Sequence, residues 1–488
     1  MQVTDRIHVG GTWRRPHGSE TTDLVDPYTE EVYARVAMGD EADVDAAVHA
    51  ARAALRGPWG ETTPRERADI LARIAEGLAD RAMEIASVIT RENGTPLAGG
   101  RQGLVAVGPF EYYADYGRTH AFEELRESDL GRLVVRREPV GVVGAILPWN
   151  VPLGLTAMKL APALLAGCTF VLKPSPETPL DAFILAEVLE KAGVPDGVFS
   201  VIPGGARVGE HLVRHPGVDK IAFTGSTDVG RRIGSICGEQ MKRVTLELGG
   251  KSAAIVLDDA DLEKTIQALV PHGSMMYNGQ ACILQSRILA SETRYDEVVE
   301  ALADAVGSLR VGDPHDDSTQ VGPLVSARQR DRVQGYIDTG HAEGAKAVVG
   351  GGRSRQQKGW FVEPTVFADV ENSMTVAREE IFGPVLSVIR YRDEQEAVDI
   401  ANDSPYGLSG TVFTEDIHRG VAVAGRVRTG MIGVNAMPAG VGLPFGGMKA
   451  SGIGREGGQE GLASYTECQA VGIPAGYDYA VDSRGARG

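Results

Sequence analysis

Cysteine is scarce in this 488-residue sequence, which contains only four. Cys168, Cys237, Cys282 and Cys468 lie far apart and form no CxxC pair, the spacing that structural zinc sites commonly use. A disulfide framework and a bound metal are therefore both poorly supported. We expect the chain to work in the reducing cytoplasm, where free thiols persist.

Long apolar runs and a surplus of basic residues are also missing. The sequence has no stretch of about 18 apolar residues, which a membrane-spanning helix would need. The residues after Met1 do not show the charged and then apolar order of a signal peptide. The formal net charge of −17 would repel the phosphates of nucleic acids and of anionic lipids. We therefore expect neither nucleic-acid nor membrane binding.

Glycine, by contrast, is abundant. The sequence has 62 glycines, whereas average usage would give about 34 in a chain of this length. Hydrophobic residues make up 43% and charged residues 24%, as in ordinary globular proteins. Normal apolar content with excess glycine indicates many tight backbone connections rather than disorder. The length alone suggests two or three domains.

Short apolar runs alternate with helical patterns between residues 140 and 250. This alternation predicts a parallel, doubly wound sheet, in which ligands bind beyond the carboxyl ends of the strands. The predicted strands are 142–147, 169–172, 198–202, 221–223 and 243–248, and the predicted helices are 155–165, 181–191, 208–214 and a segment beginning near 228. The strand ends carry Trp149, Asn150, Lys173, Gly204, Gly205, Gly225, Ser226 and Glu247.

The remaining segments suggest further elements around this sheet. A β-rich segment is predicted at 7–36, helices at 44–55 and 65–78, and a second α/β region from 251 to about 447. Leu133-Val134-Val135 is predicted as an exposed strand flanked by charges, outside the alternation.

Cys282 is the cysteine whose sequence context suggests reactivity. A lone cysteine is usually a small buried hydrophobic residue. The preceding Gly279-Gln280-Ala281 favours a reactive loop instead. Cys168 comes directly before a predicted strand and Cys237 lies in a predicted helix, so we expect both in the core, and Cys468 has no motif.

Glu247 and Asn150 each allow two interpretations. Glu247 ends an apolar strand, either bonded by the N–H groups of the following glycines or acting as a base whose pKa burial raises. Asn150 follows a strand, where an asparagine usually forms a turn but can also donate to an oxyanion.

Two further positions suggest a phosphate or ribose site. Gly225-Ser226 joins a strand to a helix, so its N–H groups could meet a phosphate, although it is not a GxGxxG fingerprint. Lys173 follows a strand and is either a solvated surface lysine or a ligand of ribose or phosphate.

Seven short motifs together resemble those of the aldehyde dehydrogenase superfamily and follow the family's order. Each could arise by chance, but all seven in order are very specific, and the resemblance covers nearly the whole chain. The motifs are Pro148-Trp149-Asn150, Leu172-Lys173-Pro174-Ser175, Phe223-Thr224-Gly225-Ser226-Thr227, Leu246-Glu247-Leu248-Gly249-Gly250-Lys251-Ser252, Gly279-Gln280-Ala281-Cys282, Glu379-Glu380-Ile381-Phe382-Gly383-Pro384-Val385 and Pro444-Phe445-Gly446-Gly447.

The resemblance implies a mechanism and a set of site residues. Cys282 would attack the aldehyde carbon, and the Asn150 amide and the Cys282 N–H would hold the oxyanion. Glu247 would activate water to hydrolyse the thioester, and relatives that transfer the acyl group to coenzyme A generally lack this glutamate. The implied contacts to the dinucleotide, NAD or NADP, are Ile146, Trp149, Lys173, Gly225, Ser226, Gly230, Leu248, Glu380 and Phe382.

The resemblance also implies an α/β fold with three parts. Residues 1–120 and 139–249 would form a doubly wound, parallel-sheet dinucleotide-binding domain, and 250–447 an α/β catalytic domain. Residues 121–138 and 465–480 would form a β-arm and tail that pair subunits. An arm strand left unpaired would be an aggregation hazard, so we expect a homodimer or homotetramer.

Departures from the family pattern leave cofactor and substrate preference open. Pro176 stands where many NAD-preferring relatives have a ribose-binding glutamate, and Glu177 follows it. We favour NAD without excluding NADP. Val151 and Met158 replace the aromatic residues of several relatives, which favours aliphatic or terpenoid aldehydes. The alternatives are a semialdehyde dehydrogenase acting on a carboxylated aldehyde and a non-catalytic dinucleotide-binding protein.

Overall fold

The computed structural model describes residues 2–97, 101–129, 131–438, 440–474, 477 and 479. The strands of this part of the chain are β1 (Gln2–Thr4), β2 (Ile7–Val9), β3 (Thr12–Arg14), β4 (Thr21–Asp26), β5 (Glu31–Ala37), β6 (Glu123–Ser128), β7 (Gly131–Pro139), β8 (Val142–Ile146), β9 (Thr169–Lys173), β10 (Phe199–Val201) and β11 (Lys220–Thr224). They continue with β12 (Arg243–Glu247), β13 (Ser252–Val256), β14 (Gln285–Ser291), β15 (Lys346–Val349), β16 (Thr365–Ala368), β17 (Val385–Tyr391), β18 (Gly410–Phe413), β19 (Gly433–Val434), β20 (Gly452–Ile453) and β21 (Thr466–Ile473).

Helices connect most of these strands. The α-helices are α1 (Glu41–Ala54), α2 (Pro58–Glu61), α3 (Pro64–Asp80), α4 (Ala82–Asn93), α5 (Arg101–Val105), α6 (Val107–Thr119), α7 (Pro152–Ala166), α8 (Leu180–Lys191) and α9 (Ala206–Arg214). They continue with α10 (Thr227–Glu239), α11 (Leu262–Ala268), α12 (Tyr295–Gly307), α13 (Ala327–Ala342), α14 (Thr375–Arg378), α15 (Glu394–Asn402), α16 (Ile417–Ala424) and α17 (Gly458–Ala463). A π-helix at Leu269–Ser274 and a 3₁₀-helix at Met276–Gly279 lead to Cys282, and a second 3₁₀-helix lies at Lys449–Ser451.

Local sequence signals set the ends of several helices. Thr63 and Glu66 form a reciprocal capping box at the start of α3, whose first residue is Pro64. Asp40 caps α1 through a similar box with Asp43. Gly167 ends α7 in the left-handed conformation, with φ of 94°, which a residue without a Cβ adopts at little cost.

An eight-stranded sheet carries the predicted doubly wound core, and the prediction is confirmed. Its order is β20-β12-β11-β8-β9-β10-β2-β3, and the five strands from β12 to β10 run parallel. The N-terminal hairpin of β2 and β3 pairs antiparallel with β10 at one edge. Side chains alternate between two cores, with Val143 and Ala145 facing α7 and α8, and Val142 and Ile146 facing α9 and α10.

A seven-stranded sheet forms the second α/β region. Its order is β15-β16-β17-β14-β13-β18-β19, and all neighbours run parallel except β15 with β16. Apolar side chains cover both of its faces. A separate three-stranded sheet, β1-β5-β4, holds the rest of the predicted β-rich N-terminal segment.

The predicted arm is a three-stranded antiparallel sheet of order β21-β7-β6. The prediction that Leu133-Val134-Val135 is an exposed strand is wrong in part, because Val134 and Val135 are buried. Strand β7 lies between two partners and packs against α7, which removes these side chains from water. Of the predicted tail, residues 475, 476, 478 and 480 lie outside the described part of the chain.

No helix in the described part of the chain combines the length and apolar character needed to cross a bilayer.

Candidate active site

The backbone before Cys282 turns through three successive left-handed residues. Tyr277, Asn278 and Gly279 have φ of 55°, 59° and 74°, a region that is costly for residues with a Cβ. The buried Asn278 side chain holds this turn, since its amide donates to the carbonyls of Gly94 and Pro323, both at 2.9 Å, and its oxygen accepts from Gly322 N at 2.7 Å. The loop before Cys282 is therefore fixed by neighbouring segments.

Two glycines allow the loop to pack closely against other main chain. A Cβ built on Gly250 would lie 2.2 Å from the carbonyl oxygen of Cys282. A Cβ on Gly279 would lie 2.2 Å from the carbonyl carbon of Gly383. Because β12 ends at Glu247, three residues before Gly250, the contact brings the Cys282 loop to the carboxyl edge of the eight-stranded sheet.

The Cys282 thiol is partly buried and is held neutral by its surroundings. Burial is the first cause that raises its pKa, and the carboxylates of Glu380 and Glu247 add to the effect. A raised thiol pKa disfavours the thiolate, so an added positive charge near Cys282 would increase its reactivity.

Asn150 lies between the carboxyl end of β8 and helix α7. Its Nδ2 donates to the carbonyl oxygen of Gln280 at 2.9 Å, two residues before Cys282. The Asn93 side chain donates to the carbonyls of Trp149 and Asn150, at 3.2 and 3.0 Å. Asn150 is thus a buried amide held from both sides, with a second N–H left for another acceptor.

Glu247 ends β12 and is 1% exposed. Neither carboxylate oxygen has a hydrogen-bond partner among the described residues. The interpretation that glycine N–H groups bond this carboxylate is therefore wrong. Burial raises the Glu247 pKa well above its usual value, and the nearby Glu456 carboxylate raises it further. An unpartnered carboxyl with a raised pKa beside a cysteine is suited to accept a proton from water.

Lys159 and Glu456 form a buried ion pair that sequence reasoning missed. Lys159 Nζ lies 2.6 Å from Glu456 Oε1, and both side chains are at most 1% exposed. Lys159 Nζ also donates to Thr224 Oγ1 at 2.6 Å. The available signal was Lys159 itself, the one charged side chain in the otherwise apolar helix α7.

The start of helix α10 forms the predicted phosphate-facing edge. Ser226 is the N-cap of α10, and its side chain makes no capping bond, so the first N–H groups of the helix stay available to an anion. A Cβ on Gly225 would lie 2.5 Å from the Phe223 ring. A Cβ on Gly230 would lie 2.4 Å from Leu248, so this glycine allows α10 to approach the residue that follows β12.

Lys173 is not the solvated surface lysine that one interpretation allowed. It is buried, and Nζ donates to the carbonyls of Gly204 and Pro174, at 2.7 and 2.9 Å. Burial lowers its pKa to about 8, and Glu177 acts in the opposite direction. The ammonium keeps one donor for a ligand hydroxyl. The aliphatic part of Lys173 packs with Ile146 against Gly209 of α9.

Glu380 and Phe382 approach the same edge from the second α/β region. Glu380 Oε1 accepts from Gly250 N at 2.9 Å, and burial raises the Glu380 pKa to about 7. Phe382 has a φ of 62°, and its ring meets Trp149 edge to face with centroids 5.4 Å apart. This packing connects the segment after α14 with the segment after β8.

These groups fit a dinucleotide in chemical terms. The α10 N-terminus suits phosphate, the spare Lys173 donor and the second Glu380 oxygen suit ribose hydroxyls, and the aromatic rings suit a planar heterocycle. No group of three or more His, Cys, Asp or Glu side chains that could hold a metal occurs within the described ranges. The fold and this arrangement define an oxidoreductase of the dinucleotide-binding α/β class.

Comparison with known proteins identifies the family within that class. The model of the aldehyde dehydrogenase family matches residues 13–471, so the chain belongs to this family. Geranial dehydrogenase of Castellaniella defragrans is 49% identical over 469 residues, which cover 95% of this chain and 98% of that protein. A 3-succinoylsemialdehyde-pyridine dehydrogenase of Pseudomonas sp. is 44% identical, with 96% and 99% covered.

Solved structures agree with the family assignment. A Mycobacterium tuberculosis aldehyde dehydrogenase complexed with NAD+ superposes with a TM-score of 0.96 at 48% identity, over 98% of this chain and all of that one. A Pseudomonas syringae aldehyde dehydrogenase variant complexed with NAD+ and octanal has a TM-score of 0.94 at 39% identity, with 98% of both chains covered.

Proposed function

We propose that this enzyme oxidises an apolar aldehyde to its carboxylic acid, with NAD as the hydride acceptor. The observation that carries the proposal is the convergence of three groups. The Asn150 amide is bonded to the loop of Cys282, and the unpartnered Glu247 carboxyl contributes to the field at the thiol. Residues 1–120 and 139–249 would bind the dinucleotide, and 250–447 would carry the nucleophile.

The first half of the reaction forms a thioester. The Cys282 thiol gives up its proton to solvent as its sulfur attacks the aldehyde carbon, and the carbonyl oxygen becomes an oxyanion that accepts hydrogen bonds from Asn150 Nδ2 and the Cys282 N–H. Bound NAD supplies an acceptor for the hydride that leaves this carbon. The carbonyl then re-forms, and the acyl group stays on the Cys282 sulfur.

The second half hydrolyses that thioester. Glu247 takes a proton from water, and the oxygen of this water attacks the acyl carbon. The carbon–sulfur bond breaks, which releases the acid and leaves a Cys282 thiolate. The proton held by Glu247 then restores the Cys282 thiol, and Glu456, paired with Lys159, is the carboxylate next to Glu247.

The cofactor assignments follow from the same edge of the sheet. Lys173 and Glu380 would bind ribose hydroxyls, and Gly225, Ser226 and Trp149 would border the pyrophosphate. Phe382 would lie beside the nicotinamide ribose, with Ile146, Gly230 and Leu248 contributing to the walls of the site. The relatives crystallised with NAD+ support NAD. Near Lys173, Glu177 adds a negative charge that disfavours the 2′-phosphate of NADP.

Apolar side chains of α5 and of the start of α7 support an apolar aldehyde as the substrate. Gly154 of α7 faces Val105 and Val151, which a Cβ at Gly154 would approach to 2.7 and 3.0 Å. Leu104 and Leu443 are large apolar side chains exposed to solvent, at 53% and 49%. The geranial relative supports an apolar substrate, whereas the succinoylsemialdehyde relative favours the carboxylated alternative.

We also propose a homodimer or homotetramer that works in the cytoplasm. Strand β21 is an outer strand of the arm sheet, and no other strand of the described residues pairs with its outer edge, which a second copy would cover. All four cysteines are free, which is consistent with a reducing compartment. Light scattering tests the assembly, and a monomer would contradict it.

The test of function is absorbance of the reduced cofactor, with NAD and NADP offered separately against hexanal, citral, benzaldehyde and succinic semialdehyde. We expect turnover with NAD and with hexanal or citral, and none in Cys282→Ala. Preference for succinic semialdehyde would support the semialdehyde alternative. If the wild type and Cys282→Ala both bind dinucleotide but neither turns over any aldehyde of the panel, the proposed catalysis is contradicted.

A further inference from the structure

The face of the eight-stranded sheet below Glu247 is polar although it is fully covered. Lys220 and Thr224 of β11 lie on the same face as Thr245 and Glu247 of β12, because Ala222 pairs with Thr245 and Thr224 with Glu247. Helix α7 adds Lys159 to this face, and Glu456 follows β20. We call Lys159, Lys220, Thr224, Thr245, Glu247 and Glu456 the buried polar column; each is at most 6% exposed.

Within the column, polar contacts form two separate sets, and Glu247 belongs to neither. Lys159 Nζ contacts both Glu456 Oε1 and Thr224 Oγ1. Lys220 Nζ donates to Thr245 Oγ1 at 2.6 Å and lies 4.9 Å above the ring of the buried Tyr465. The face that these side chains share extends from Lys220 at the start of β11 to Glu247 at the carboxyl end of β12, whose charge acts on Cys282.

The column contains two carboxyl groups and two amines, but the two amines differ in whether a carboxylate lies close enough to form an ion pair. Lys159 is paired with Glu456 at 2.6 Å. Lys220 has no carboxylate within ion-pair distance among the described residues, although the field of Glu456 stabilises its charge. A buried ammonium is costly, and a hydroxyl with an aromatic face offsets only part of that cost. The mechanism described above does not use Lys220.

We propose that Lys220 is a positioning residue for thioester hydrolysis. Its ammonium group, at the start of β11, would help the Glu456–Glu247 pair to hold a negative charge. Its amine would thereby set the pH at which Glu247 can accept a proton from water. The proposal rests on the proposed function, because it assumes the roles of Cys282 and Glu247.

The direction of the effect depends on the charged and titratable groups around the column. Lys220 faces Glu456, Lys159, Cys168, Cys237 and Glu467. Glu247 faces Glu456, Lys159, Arg455, Cys282 and Tyr465. Glu456 also acts on Tyr113 and Tyr465. Removal of Lys220 leaves Lys159 and Arg455 in place, so it takes away one cation and favours the protonated form of Glu247.

The experiment isolates hydrolysis from hydride transfer by using p-nitrophenyl acetate without dinucleotide. The Cys282 sulfur attacks the acetyl carbon and displaces p-nitrophenolate, and water then cleaves the thioester to acetate and thiol. Rapid acid quench with intact-protein mass spectrometry follows the loss of the acetyl group. Lys220→Met removes the charge and keeps the side-chain length, and the hydrolysis rate is measured across pH.

We expect the midpoint of the hydrolysis profile of Lys220→Met to move upward by about one pH unit, with unchanged stoichiometry of acetylation. Lys242→Met is the matched control, since its amine donates to the carbonyls of Val213 and His215 and it has no charged neighbour in the column. This control should keep the wild-type midpoint. An unshifted midpoint in Lys220→Met would overturn the proposal.

A second variant covers the case in which Lys220→Met fails to fold. Thr245→Val removes the acceptor of the Lys220 amine and should move the midpoint in the same direction, whereas Thr245→Ser should restore it. An unshifted midpoint in Thr245→Val then overturns the proposal. Wild-type protein whose Cys282 is not acetylated would contradict the proposed function itself, which separates the two failures.

Discussion

The side-chain amide of Asn150 donates to the main-chain carbonyl of Gln280 at 2.9 Å. This bond joins the segment after β8 to the loop that ends in Cys282, across two regions of the chain with separate sheets. Asn150, the proposed oxyanion donor, therefore also holds the loop that carries Cys282. The Asn93 side chain donates to the main-chain carbonyl of Asn150 and so holds the other side of this residue.

Replacement of Asn150 by alanine should lower kcat by about 10²–10³-fold, because one oxyanion donor and the bond to the loop are both lost. Steady-state rates with NAD and the best aldehyde of the panel measure the effect. Asn150→Asp, which keeps the shape but removes the N–H donors, should be impaired as well. A wild-type kcat in Asn150→Ala would contradict the role.

Replacement of Glu247 by glutamine should separate the two halves of the reaction. Hydride transfer precedes the attack of water, so the variant should release one equivalent of reduced cofactor per active site and then stall as the thioester. Stopped-flow absorbance measures the burst, and mass spectrometry detects the acyl adduct on Cys282. Glu460→Gln, at an exposed glutamate of α17, is the control and should turn over normally.

Much of the fold could be predicted from sequence because each central strand is a short apolar run between glycine or polar residues. The runs at 142–147 and 169–172 match β8 and β9 within a residue. The order of the motifs also placed Asn150, Glu247 and Cys282 in one site, and the structure brings their segments together. Their catalytic roles remain proposals.

Features that depend on distant partners could not be predicted. Lys173 is buried because the carbonyl of Gly204, far away in sequence, accepts from its amine. Lys159 and Glu456 pair across most of the chain, and neither carries a local motif. The burial of Val134 likewise depends on α7 and on β21 near the C-terminus, which no local pattern of charges reveals.

Replacement of Gly250 by alanine should impair both stability and activity. The added Cβ would lie 2.2 Å from the Cys282 carbonyl oxygen, so the nucleophile loop must move. We expect a loss of about 1–3 kcal/mol in the free energy of unfolding, measured by urea denaturation, and a strong fall in kcat. Gly335→Ala in α13 is the matched control, since nothing lies within 4 Å of its Cβ. This control should gain stability by helix propensity, and equal behaviour of the two variants would refute the steric argument.

The affinity for NAD should fall at both ends of the pH range. Burial lowers the Lys173 pKa to about 8, so above this pH the amine loses the proton and the charge that favour the cofactor. Burial raises the Glu380 pKa to about 7, so below this pH the protonated carboxyl accepts hydroxyl hydrogen bonds less well. Fluorescence titration with NAD from pH 5.5 to 9.5 is expected to give weaker binding on both sides of about pH 7.5. Lys173→Met should flatten the alkaline limb only, and Glu380→Gln the acidic limb only. Loss of both limbs in either variant would show that these residues do not act separately on the cofactor.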